Sequence, residues 1–122
     1  VRRRAALIGA VCLFAALLAF PVAAASLTVQ EALAHAEALK GRGVLAVFSP
    51  DYGPLKDAVL GAGKAWRAQV KTAKPPVCAP SSVNYSQDDA MMFLRAVKPA
   101  DRATTPAQTA IINGLNARYR CK

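Results

Sequence analysis

Two cysteines, Cys78 and Cys121, frame the stretch that most constrains what this chain can fold into. Between them lie VNYSQDDAMMFLRAV (residues 83–97) and TTPAQTAIINGLNARY (residues 104–119), separated by the breaker Lys98-Pro99. Each segment carries a helix start signal and an apolar stripe at three- and four-residue spacing. Joining the two cysteines would turn the segments into a covalently closed helical pair, and whether they join depends on the compartment.

The compartment is read from the N-terminal residues, VRRRAALIGAVCLFAALLAFPVAAAS. A basic head at Arg2, Arg3 and Arg4 precedes an unbroken apolar run from Ala5 to Phe20, then Pro21 and an Ala-x-Ala ending at Ala25. This pattern predicts a secretory signal peptide over residues 1–25, cut before Ser26, and a periplasmic or secreted product. The competing reading is a retained membrane anchor, since the run extended to Ala25 reaches the roughly 20 residues that span a bilayer. Cys12 follows Gly9-Ala10-Val11, which lacks the leucine of a lipoprotein box.

Removing 25 of 122 residues leaves 97, enough for one domain (residues 26–122) with a modest core that gains from a covalent staple. Of the three cysteines, Cys12 departs with the signal, and in an oxidising compartment Cys78 and Cys121 are the economical disulfide. Three of the 16 Lys and Arg lie in the signal and all seven Asp and Glu lie after it, so the net charge falls from +9 to +6. A basic exported protein meets acidic proteins, anionic lipid and cell-wall polymer more readily than nucleic acid. The plainer reading of that charge is a solvated surface.

In chain order, Thr28 and Glu31 form a capping box for a helix running to about Lys40, with Leu27, Val29, Leu33, Ala36 and Leu39 on its apolar face. Gly41 and Gly43 supply the stop. The five apolar residues Val44 to Phe48 read as a short helical turn or a buried extended segment, either of which would tuck Phe48 against the core. A turn of Ser49, Pro50, Asp51, Gly53 and Pro54 follows, holding Tyr52 partly exposed. Leu55 to Lys74 reads as the longest helix, with Leu55, Val59, Ala62, Trp66 and Val70 on one stripe. Gly61 and Gly63 weaken that helix, which suggests close packing at their turn. The proline-rich connector from Lys74 to Pro80 stiffens the approach to Cys78.

Ser86 then caps a third helix, with Asp88 and Asp89 in its first turn as dipole partners and Ala90, Phe93, Leu94 and Val97 facing inward. Met91 and Met92 read as gap-fillers. Thr105-Pro106-Ala107-Gln108 opens the fourth helix with a capping box and a proline at the first helical position. Ala107, Ala110, Ile111, Gly114, Leu115 and Tyr119 form its inner face. The fold expected is therefore all-α, a small four-helix domain closed by one disulfide, with the last two helices antiparallel.

No constellation for catalysis is visible. His35 is the lone histidine, without a second ligand at helical spacing, and reads as a surface or boundary residue. Asp88 and Asp89 diverge by about 100° on a helix and so are not an acid-base pair. Gly61-Ala62-Gly63-Lys64 is followed by Ala65 and lacks the spacing of a phosphate loop. The chain is expected to act without enzymatic activity, cofactor or metal. Tyr52 and Trp66 are the candidate partner contacts, Trp66 being read first as core.

The pattern Cys78-Ala79-Pro80, a capped helix, a proline-containing joint, an alanine-rich second helix and the terminal Tyr119-Arg120-Cys121 resembles the exported Rap/Tai-type immunity domains of type VI secretion. The likeness covers about residues 78–121, and Arg120 stands where that family has proline. It extends also to small secreted proteins with the same turn and cysteine pair. The resemblance implies a helical periplasmic protein that binds and blocks a cell-wall amidase toxin, commonly as a dimer; it carries over no toxin-contacting residue. From a different class comes the alternative of a structural or accessory envelope protein whose basic surface adheres weakly to anionic lipid or cell-wall polymer.

Overall fold

A computed structural model describes residues 26–122; the expected signal peptide and its cleavage site lie outside the described residues. Four α-helices make up the domain: α1 (Val29–Leu39), α2 (Tyr52–Gln69), α3 (Gln87–Arg95) and α4 (Ala107–Arg118). Short 3-10 turns fill the joints at Gly43–Phe48, Val70–Thr72 and Pro99–Asp101. The domain is all-α, and extended pairing among the described residues is confined to two isolated bridges, Thr28 with Pro106 and Val77 with Arg120.

The core is the meeting of four apolar stripes. Val29 and Ala32 of α1, Ala62 and Trp66 of α2, Phe93 and Leu94 of α3, and Ile111 and Leu115 of α4 are all buried. α4 is the central element, packing most extensively on α2 and then on α3. Its small residues let neighbours come close: Ala107 and Ala110 are buried, and a β-carbon on Gly114 would penetrate the Phe93 ring. Gly61 and Gly63 of α2 serve the same end, since a β-carbon at Gly61 would lie 2.9 Å from Gln108 Nε2 and one at Gly63 3.2 Å from the Tyr85 ring. Asp89, early in α3, meets Arg118 at the end of α4, and Phe93 meets Gly114, so the pair runs antiparallel.

The disulfide closes this pair. Val77 and Arg120 form a bridge, with the Cys78 N–H donating to the Tyr119 carbonyl (2.7 Å) and the Cys121 N–H to that of Pro76 (3.2 Å). That local ladder sets the Cα atoms of Cys78 and Cys121 4.9 Å apart, and their sulfurs are bonded.

Several sequence expectations need correction. Phe48 does not tuck inward: it is 83% exposed, because the 3-10 turn it ends leaves its bulky side chains in solvent, while the less exposed Ala46 and the buried Ser49 just after it are small. Met92 is exposed while Met91 is half-buried, adjacent positions on a helix facing about 100° apart, so only Met91 fills a gap. α2 begins at Tyr52 rather than Leu55, which places Pro54 in the first turn, where its missing N–H costs no helical bond.

The expected capping box at Thr105 does not form. The Thr105 hydroxyl donates to the Asp101 carbonyl (2.8 Å), Pro106 occupies the cap position, and the Ala107 N–H donates to the Leu27 carbonyl (2.7 Å). Val29 N–H in turn donates to the Thr105 carbonyl (2.8 Å). The extended residues ahead of α1 therefore satisfy the start of α4, a partner 80 positions away that no local motif encodes.

Candidate functional site

The joint between α1 and α2 is where the domain departs most from ordinary packing. Lys40 ends α1, and Gly41 (φ 76°) and Gly43 (φ 55°) take left-handed backbone that reverses the chain. The 3-10 turn Gly43–Phe48 follows, and the Ser49 N–H donates to the Ala46 carbonyl to close it. Val44 (87%), Leu45 (65%), Val47 (53%) and Phe48 (83%) all project into solvent. Single exposed apolar residues are ordinary, whereas four within five consecutive positions make a patch of the kind that marks interaction surfaces.

This loop is held at its base. His35 on α1 donates from Nδ1 to Asp51 Oδ1 (2.7 Å), and Ser49, which is buried, donates its hydroxyl to Asp51 Oδ2 (3.3 Å) while accepting from the Asp51 N–H (3.3 Å). The Asp51 carboxyl is held below the usual carboxylate range, first by the His35 hydrogen bond and also by that from Ser49. Arg42 adds a bond from Nε to the Ala38 carbonyl (3.0 Å). Serine, histidine and aspartate are thus neighbours, but both others bond the carboxylate. The serine lacks the contact with imidazole that would activate it, so the trio acts as a clamp.

Beside the loop lies a cleft of about 400 Å³ bounded by α1, α2 and α3. Ala36, Leu39, Leu55, Val59 and Met91 give it apolar walls. Lys40, Lys56 and Arg95 stand around it, with Asp88 and Gln87 at the start of α3. Tyr52 also lines the cleft, half-buried, with the Lys56 ammonium 5.9 Å from its ring centroid. Among the described residues, no three His, Cys, Asp or Glu side chains gather as a metal-ligating group.

Of the candidate contacts, Tyr52 reaches the surface and Trp66 does not. Trp66 is 1% exposed, donates from Nε1 to Asn116 Oδ1 (2.8 Å) and packs 5.7 Å from the Tyr119 ring, so it is a core residue and unavailable to a partner. Cys78 and Cys121 are bonded to each other and serve the scaffold. Sequence reasoning missed the exposed Val44–Phe48 surface and the His35–Asp51 tie. The flanking Gly41 and Gly43 were the available sign of a projecting loop; residues 16 positions apart carry no sign of a hydrogen bond. No protein-family model, curated protein or solved structure matches the chain.

Proposed function

We propose that this protein is an exported binding module that acts by stoichiometric contact with another protein, as an immunity-type inhibitor of a cell-wall amidase toxin. The observation that carries the binding class is the clamped loop presenting Val44, Leu45, Val47 and Phe48 to solvent. An apolar projection clamped at its base loses less conformational freedom on docking than an untethered loop would, and an aromatic at its end is the residue type that anchors interfaces. The amidase as target rests on the likeness of residues 78–121 to Rap/Tai-type immunity domains.

The test is capture on the oxidised protein from envelope extract in 1 M salt, followed by assay of the captured protein for amidase activity. At that salt the Debye length is about 3 Å and adhesion through scattered charges is screened. Retention of an amidase at a fixed ratio, with hydrolysis restored on its release, is the expected result. Binding of anionic envelope polymer instead, without fixed ratio and lost with salt, would identify an envelope-adhesion protein.

A further inference from the structure

We propose that the cleft between α1, α2 and α3 binds a single-chain amphiphile with an anionic head, a fatty-acid carboxylate. This goes beyond the protein-binding role of the loop and stands on different residues. Its walls are side chains that would otherwise have closed the core: Leu39, Leu55, Val59 and Met91 remain partly buried around a space of about 400 Å³, within the roughly 300–1,000 Å³ of small-molecule sites. Met91 is unbranched and polarizable, suited to adjust to a flexible chain.

The head-group chemistry follows from the rim. Lys40 comes from the end of α1, Lys56 from α2 and Arg95 from the end of α3, so three helices deliver cations to one opening, against the single carboxylate of Asp88. Lys40 is paired with Glu37 in an exposed contact (2.7 Å) of the kind that competes weakly with a ligand. Arg95 makes no ion pair among the described residues. Its guanidinium presents the planar fork that matches a carboxylate, and Lys56 supplies a second, compact charge. An apolar space beneath a cationic rim favours one chemistry, a hydrocarbon tail with a negative head.

Titration of the intact, disulfide-bonded protein with laurate, below the concentration at which laurate self-associates, tests the proposal by calorimetry and by the Met91 methyl resonance. Saturation at one equivalent is expected, with the Met91 signal shifting. Methyl laurate, which keeps the tail without the charge, is expected to bind at least about tenfold more weakly, as is butyrate, which keeps the charge without the tail. The double variant Lys56→Ala, Arg95→Ala is expected to weaken laurate at least about tenfold, and Ala36→Phe to block it by filling the cleft. Thermal unfolding checks that each variant folds; the three-ligand comparison on the unaltered protein decides the matter if one does not. Equal binding of methyl laurate or dodecyltrimethylammonium would overturn the proposal, as would lack of saturation. Binding confined to phosphatidylglycerol vesicles would overturn it in favour of a membrane-surface role.

Discussion

Phe93 covers Gly114 so closely that no side chain fits between them: a β-carbon at position 114 would lie inside the van der Waals surface of the ring. Arg118 stacks over the same ring, 4.8 Å from its centroid, while holding Asp89 at 2.9 Å. One glycine, one ring and one ion pair thus set how closely α3 and α4 approach.

Gly114→Ala is expected to destabilise the domain. Overpacking a filled site costs about 1–3 kcal/mol, against which the better helix propensity of alanine returns up to about 1 kcal/mol. Thermal unfolding followed by circular dichroism should show a net loss, each kcal/mol lowering Tm by about 4–8 °C in a domain of this size. An unchanged Tm would mean that Phe93 does not press on Gly114 so closely that a β-carbon at that position would meet its ring.

Ser86 and Asp89 predict an acid response. Asp89 is pulled down to about 2, first by the Ser86 backbone N–H, then by Arg118 and the Ser86 hydroxyl. A carboxyl depressed in the folded state contributes fully above its unfolded value near 3.8 and loses that contribution as pH falls toward 2. Tm should therefore fall more steeply between those values in the unaltered protein than in Asp89→Asn. Ser86→Ala removes the side-chain cap and is expected to cost about 1 kcal/mol at neutral pH.

Much of the scaffold was legible because its signals are local. Thr28 accepts from the Glu31 N–H (3.2 Å) and Ser86 from that of Asp89 (3.2 Å), as their spacing implied, and Asp89 returns a bond to the Ser86 N–H (2.8 Å) where only a dipole partner was foreseen. Trp66, Leu94 and Ile111 fall where helical periodicity puts a core. What escaped was non-local or depended on space. The Thr105 motif was present, but the Thr105 hydroxyl turns back to the Asp101 carbonyl and Pro106, not Thr105, takes the cap position. Phe48 belongs to an apolar run that composition assigns to the interior, yet it ends a 3-10 turn that leaves four of its five apolar side chains in solvent.

Reducing the Cys78–Cys121 bond should weaken the fold by about 4 kcal/mol, the chain-entropy value for a loop of this length, 43 positions from end to end. Cys78 is exposed, so reductant should act without prior unfolding. A lowered Tm in dithiothreitol, matched by the double variant Cys78→Ser, Cys121→Ser, is expected; coincident melting of oxidised and reduced protein would contradict it.

The clamp at the loop base predicts a local effect. His35→Ala removes the bond to Asp51, and amide exchange over Gly43–Ser49 should quicken while exchange in α4 stays unchanged. Protection lost throughout the domain would instead make the pair a global stabiliser.

The most direct measurement of the binding role compares the unaltered protein with the double variant Leu45→Ser, Phe48→Ser, both verified as folded, for capture of an envelope amidase and suppression of its hydrolysis in 1 M salt. Both side chains are exposed, so their loss should leave Tm close to that of the unaltered protein. The unaltered protein should abolish hydrolysis at a fixed ratio, and the double variant should need at least about a hundredfold more protein, as loss of paired interface anchors implies. Equal inhibition by the two proteins would show that the loop is not the binding surface. A protein that retains no amidase at any salt, in cells whose resistance to neighbouring toxins is unchanged by its loss, would contradict the immunity role itself.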